Sequence, residues 1–211
     1  MKCTNEFENK WWSEGHQYVV GIDEAGRGPI AGPLVVAAVC FPAGYDDEEI
    51  FDSKKISEKK RNALFKRIIK EALEYHIMIK DCKYIDEVNI YRATQNSMLE
   101  LTKQFQHIDG VLTDAMPLPD CAVECIPIVK GDMKSVSIAA ASILAKVVRD
   151  HIMYAYDIRY PQYGFAKHKG YPTKAHIEAM RTHGVIEGFY RRSYGPVAQM
   201  YEQQLSLFED L

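Results

Sequence analysis

Several common signals are missing from this sequence of 211 residues. No apolar run approaches the roughly 20 residues that a membrane-spanning helix needs. The opening stretch MKCTNEFENKWWSEGH is polar, without the apolar core of a secretory leader. Together these absences predict a cytoplasmic protein with no membrane contact. The phosphate-cradling pattern GxxxxGKS or GxxxxGKT does not occur, which argues against nucleoside triphosphate hydrolysis. The five cysteines, Cys3, Cys40, Cys82, Cys121 and Cys125, are odd in number and irregular in spacing. Cys121 and Cys125 resemble half of a metal site, but no second Cys or His pair completes it. The thiols are therefore expected to be reduced and structural, and zinc is not expected.

Positive charge is short as well: 26 Lys and Arg face 29 Asp and Glu, a net charge of −3. Its distribution is uneven. Residues 130–195 hold 11 Lys and Arg against 5 Asp and Glu, so the surplus of bases lies there and the rest of the chain is acidic. A segregated charge of this kind can grip a polyanion locally, but on charge alone solvated helix faces are the favoured reading.

Neither repeats nor low-complexity tracts interrupt the chain. Apolar runs predict strands over 18–23, 34–41, 75–82, 110–115 and 124–130. Helices are predicted over 57–74, opened by Ser57, over 87–106 as one long element, and over about 134–156. The order of elements predicts an α/β sheet domain. Beyond about residue 160 the pattern turns irregular and helical, as expected of a smaller lobe.

What stands out is where the acids fall. Asp23 and Glu24 follow YVVGI, Asp114 follows GVLT, and Asp132 follows IPIVKG. A carboxylate at the end of a buried strand is costly unless it is paired or holds a cation. Four such acids brought together would repel one another, and all-oxygen ligands favour Mg²⁺ or Mn²⁺. Two hard cations in such a cluster activate water and stabilise the leaving oxygen of a phosphodiester. The spacing is equally compatible with four acids that never meet. Adjacent strand residues point to opposite faces, so joint action of Asp23 and Glu24 predicts a break in the strand, supplied by AGRG. Gly26 and Gly28 let a ligand approach the backbone, and Arg27 suits a phosphate. A tight turn with a solvated arginine is the simpler reading of the same residues.

Five stretches, GIDEAGRGPIAGPLVVAAV, DSKKISEKKR, DAMPLP, KGDMKSVSIAAASILAKVVRD and YGFAKHKGYPTKAH, resemble bacterial ribonuclease HII in order and spacing, over roughly residues 17–197. The GRGPIAG form fits this family better than its HIII relatives. The resemblance implies a ribonuclease H-like α/β fold: a mixed central sheet flanked by helices, with a smaller helical C-terminal lobe. It divides the chain into an N-terminal extension (1–16), a catalytic region (17–198) and a tail (199–211). It implies cleavage of RNA in RNA–DNA hybrids and 5′ to single ribonucleotides in duplex DNA, leaving 3′-hydroxyl and 5′-phosphate ends. Asp23, Glu24, Asp114 and Asp132 match the family's metal-binding and catalytic acids, with Mn²⁺ or Mg²⁺ as cofactor. Gly26, Arg27 and Gly28 would read the 2′-hydroxyl, and Tyr163 would stack on the neighbouring deoxyribose. Lys54, Lys167, Lys169 and Lys174 would meet backbone phosphates, adding affinity without sequence choice. His176 is read as a structural hydrogen-bonder; Ser135, His168 and Thr173 lie in matching motifs without an assigned role. Tyr194 and Gly195 depart from the family's usual phenylalanine and polar residue, and Gln162 from its glycine.

The chain ends YEQQLSLFEDL. Within it Gln204, Leu205, Leu207 and Phe208 resemble the short peptide that docks repair proteins on the bacterial sliding clamp. A last turn packed on the protein's own surface is the alternative. The chain is expected to be a monomer. Two other readings compete: a nuclease or resolvase acting on deoxy substrates, which the GRG turn and Tyr163 oppose, and a non-catalytic hybrid binder, which the four acids oppose.

Overall fold

The computed structural model describes residues 3–209, with side chains described for residues 3–202. The chain divides into two compact units, each assembled from separate segments. The first comprises Met1–Ala25, Val35–Met78 and Thr94–Val147, and the second Gly26–Leu34, Ile79–Ala93 and Val148–Leu211.

The sheet contains β1 (Val19–Ala25), β2 (Leu34–Cys40), β3 (Glu74–Lys80), β4 (Gly110–Asp114) and β5 (Cys125–Ile128). Its order is β3-β2-β1-β4-β5. β1 runs antiparallel to β2 and parallel to β4, and β4 runs parallel to β5. The parallel neighbours β1 and β4 are buried along nearly their whole length, which explains their unbroken apolar runs. The helices are α1 (Glu6–Ser13), α2 (Glu58–Glu71), α3 (Cys82–Val88), α4 (Ile90–Thr102), α5 (Val136–Arg159), α6 (Phe165–His168), α7 (Lys174–His183) and α8 (Gly195–Glu209). The expected mixed sheet flanked by helices is thus what forms. Among the described residues no helix is long and apolar enough to cross a membrane.

In the first unit α5 lies hard against β1. A Cβ on Gly21 would come within 2.3 Å of the Ile138 nitrogen, so the strand and the helix touch backbone to backbone. Ala139, Ala140, Ala141, Ser142 and Ala145 are all buried, and their small size is what such an approach requires. Trp11 of α1 packs with Val19, Leu112, Ile128 and Ile138, and its ring takes the space a side chain at Gly110 would need. The second unit has its own core, built on Ile30, Met153, Tyr163, Phe165, Met180, Phe189 and Tyr190. All five cysteines are free thiols, and Cys3, Cys40 and Cys82 are buried.

Three features depart from the sequence reading. The single helix expected over 87–106 is two. Asn89 sits at φ 65° as the end of α3, and its side-chain oxygen then accepts the Arg92 amide to open α4. The predicted strand over 75–82 stops at Lys80, because Asp81 caps α3 by accepting the Tyr84 amide. The break expected between Asp23 and Glu24 is absent. β1 continues through both, with Asp23 opposite Ala37 and Glu24 opposite Val36.

Candidate active site

Parallel pairing puts two of the acids side by side. Ile22 pairs with Thr113, so Asp23 and Asp114 are the next residues of adjacent parallel strands. Asp114 ends β4, and Ala115 turns away at φ 56°. β5 then delivers the chain to a 3₁₀ turn, Gly131–Met133, that carries Asp132. The two ends are tied together: the Gly131 amide donates to Asp114 Oδ1 at 2.8 Å. A Cβ on Gly131 would lie 2.6 Å from the Ile138 side chain, so this turn has little freedom to shift.

The electrostatics report a crowd of anions. Asp23 is 7% exposed, and burial, then the charges of Glu24 and Asp114, drive its pKa well above the usual carboxylate range. The Glu24 amide, donating to Asp23 Oδ1 at 2.7 Å, only partly offsets this. Asp132 is raised to about 6 by burial, by Asp52 and by Asp114, against the opposing charge of Lys54. For Lys54 burial favours the neutral amine, yet Asp23, Asp132, Asp52 and Asp114 outweigh it and raise its pKa. Lys54 therefore lies within the field of the acids.

Asp52 is the member that sequence reasoning missed. It is buried, shares a hydrogen bond with Asp132, and accepts the Lys54 amide at 2.9 Å. The stretch DSKK carries this acid two residues before Lys54. The loop is fixed from both sides. Arg61 donates to the carbonyls of Ser53 and Ile56, and the Ser142 hydroxyl meets that of Ser53 at 2.7 Å.

Another unforeseen contribution comes from α1, which lies in the expected N-terminal extension. Asn5 accepts the Val136 amide at 3.0 Å and Glu8 the Ser137 amide at 3.2 Å, while Ser135 accepts that of Ile138 at 3.0 Å. The first three amides of α5 are thus capped, two of them from a distant segment. Ser135 gains a role as this cap, its hydroxyl held by Glu8 at 2.5 Å.

Among the described residues no three His, Cys, Asp or Glu side chains form a ready-made metal cage. The donor set is nevertheless oxygen only, anionic and partly desolvated. It suits a hard divalent cation, which would relieve the repulsion recorded at Asp23 and Asp132.

The remaining expected site residues belong to the second unit. Arg27 and Gly28 are exposed, and Gly26 sits at φ 103°. Tyr163 is 5% exposed, with its hydroxyl donating to the carbonyls of His183 and Gly184. Lys169 lies with its ammonium 4.1 Å from the Tyr154 ring centroid. Lys167 and Lys174 are exposed. Thr173 caps α7 through the His176 amide. His176 bonds the Tyr171 carbonyl at 2.8 Å and the Tyr190 hydroxyl at 2.9 Å, and burial lowers its pKa to about 4, so it is a neutral, structural residue. The side chains of Gln204, Leu205, Leu207 and Phe208 lie outside the described residues.

Comparisons with known proteins point to one family. Residues 20–195 match the family model described as Ribonuclease HII. The chain is 53% identical over 180 residues to ribonuclease HII of Ruminiclostridium cellulolyticum, covering 85% of this chain and 71% of that one. Its fold is similar to the crystal structure of ribonuclease H2 from Pyrococcus horikoshii, with a TM-score of 0.74, 24% identity, and coverage of 88% and 98% of the two chains. It is also similar to the RNase HII of a PCNA:RNase HII complex from Archaeoglobus fulgidus, with a TM-score of 0.70, 23% identity, and coverage of 82% and 92%. With strand-end acids in one electrostatic neighbourhood and this extent of likeness, the chain belongs to the ribonuclease HII family and is a ribonuclease H, an endonuclease of the hydrolase class.

Proposed function

We propose that this ribonuclease H, whose family acts on RNA–DNA hybrids, also cuts duplex DNA 5′ to a single ribonucleotide, leaving a 3′-hydroxyl and a 5′-phosphate. The observation that carries the chemistry is that Asp23 and Asp114 follow paired residues of adjacent parallel strands, with the turn of Asp132 tied to Asp114 through the Gly131 amide; the Asp114 charge adds to burial in raising both Asp23 and Asp132. Asp23, Glu24, Asp114 and Asp132 would hold the divalent cations, Mg²⁺ or Mn²⁺. When bound, such ions supply Lewis acidity towards the phosphodiester and lower the pKa of water. The chain's own contribution is orientation. Asp114 and the Gly131 amide fix the relation of two acids. Lys54 brings positive charge towards the attacked phosphate, and Asp52 orients Asp132. Gly26, Arg27 and Gly28 would read the 2′-hydroxyl, the group that separates RNA from DNA. Tyr163 would meet the neighbouring deoxyribose through the 5% of its surface that is exposed. Lys169 would meet a backbone phosphate.

The test is cleavage of a DNA duplex with one ribonucleotide, with Mg²⁺ and Mn²⁺ supplied in turn and an all-DNA duplex as control. Absence of a cut at the ribonucleotide with either ion would reject the substrate assignment. A clamp partner is a separate proposal, supported by QLSLF at 204–208 and by the A. fulgidus relative solved as a complex with PCNA. Deleting residues 204–211 should abolish sliding-clamp binding in a pull-down with purified clamp; equal binding removes the idea.

A further inference from the structure

Two arginines in the second unit are buried almost completely, Arg149 at 1% and Arg191 at 0% exposure. Neither is paired with a carboxylate among the described residues. Instead both are wrapped by main-chain carbonyls, most of them in the turn Gly26–Pro33. Arg149 donates to the carbonyls of Ala31, Pro33 and Lys169. Arg191 donates to those of Gly26 at 2.6 Å, Arg27 at 3.0 Å and Gly32 at 2.8 Å and 3.2 Å, and to the Tyr194 hydroxyl at 3.0 Å. That uses every N–H of its guanidinium. The Tyr194 hydroxyl donates in turn to the Arg27 carbonyl at 2.6 Å, and its ring lies 5.1 Å from the Arg191 guanidinium carbon.

A buried charge without a counter-ion is costly, so an arrangement with two of them calls for a reason. The geometry supplies one. All peptide bonds here are trans, and in a trans peptide the C=O and N–H point in opposite directions. With the Gly26 and Arg27 carbonyls both drawn inward onto Arg191, the amides of Arg27 and Gly28 must face the other way. Both residues are exposed. A Cβ on Gly26 would sit 2.2 Å from Arg149 Nε, so the guanidinium also fills the space behind the turn.

We propose that Arg191 and Tyr194 are positioning residues for substrate selection: they lock the Gly26–Gly28 turn with its amides outward, where those amides take the ribose 2′-hydroxyl as donors. This rests on the reading of that turn as the ribose sensor. It gives the Tyr194 hydroxyl, which a phenylalanine would lack, a specific task, because it bonds the Arg27 carbonyl beside Arg191. Arg149 supports the same turn from behind.

The experiment measures binding to two duplexes that differ by one 2′-hydroxyl, by fluorescence anisotropy with Ca²⁺ replacing Mg²⁺ so that hydrolysis does not intervene. Wild type should favour the ribonucleotide duplex. Arg191→Lys, which keeps the charge but loses the fork, should lower that ribo-to-deoxy ratio by about tenfold or more. Tyr194→Phe should lower it by about three- to tenfold, with melting temperature and affinity for the all-DNA duplex nearly unchanged. General loosening would weaken both duplexes alike and leave the ratio alone. If wild type discriminates and folded variants discriminate equally, the proposal fails while the sensor reading stands. If wild type shows no preference, the sensor reading itself fails. Should Arg191→Lys not fold, Tyr194→Phe decides.

Discussion

Asp114 and Gly131 are joined through a single hydrogen bond of 2.8 Å, so the residue that ends β4 also sets the turn that presents Asp132. Replacing Asp114 by Asn keeps an oxygen for the Gly131 amide but removes the charge. Cleavage should fall by more than the roughly 10–100-fold typical of groups that merely orient ligands. Hybrid binding should be retained. Steady-state kinetics with anisotropy binding checks this, and normal cleavage by the variant would show that Asp114 holds no essential cation.

Lys54 restrains Asp132. Among the charges acting on that carboxyl, Lys54 is the one that lowers its pKa. Lys54→Met should therefore move the Asp132 pKa upward from about 6 in cation-free protein. Carboxyl-carbon NMR titration reads the shift directly, and a downward or absent shift would mean that the lysine points elsewhere.

Gly26→Ala combines two penalties: a φ of 103° and a Cβ 2.2 Å from Arg149 Nε and 2.6 Å from the Pro33 carbonyl. A strained backbone of this kind costs about 1–3 kcal/mol. Thermal melting should show the loss, and KM for a hybrid should rise more than kcat falls. An unchanged melting temperature would mean that the turn relaxes at no cost.

Glu8 is a buried acid whose pKa is raised from 4.5, chiefly by burial, with its bonds to Ser135 and Ser137 working the other way. An acid with a raised folded pKa binds its proton more tightly folded than unfolded. Its contribution is then complete below the unfolded pKa and is lost as pH rises through the folded one. Glu8→Gln should therefore gain melting temperature relative to wild type as pH is raised from about 4 to about 8. A difference that stays flat with pH would mean that the Glu8 charge is not what titrates.

The four acids were legible because each follows a local pattern, an apolar run and then a carboxylate, whereas the order of the strands in the sheet is not local and was not read. Asp52 was not, because it follows no strand, and only its hydrogen bond to Asp132 gives it a role. The capping of α5 by Asn5 and Glu8 joins residues about 130 positions apart, and no spacing rule reaches that far. The division of 87–106 into two helices rested on one asparagine, Asn89, whose φ of 65° is positive, a conformation that periodicity does not register. Asp23 and Glu24 were read as needing a broken strand. In the structure β1 keeps its antiparallel partner through both, while its parallel pairing with β4 runs only to Ile22.

The buried thiols make this protein its own clock. Only a thiolate reacts quickly with alkylating agents. Burial pushes Cys3 up to about 12 and raises Cys82 as well, so neither reacts while its surroundings are closed. Cys3 belongs to the unit that carries the acids, and Cys82 to the unit that carries the glycine-rich turn. Alkylation of each, followed by mass spectrometry, would time the opening of the two units independently and without any added label.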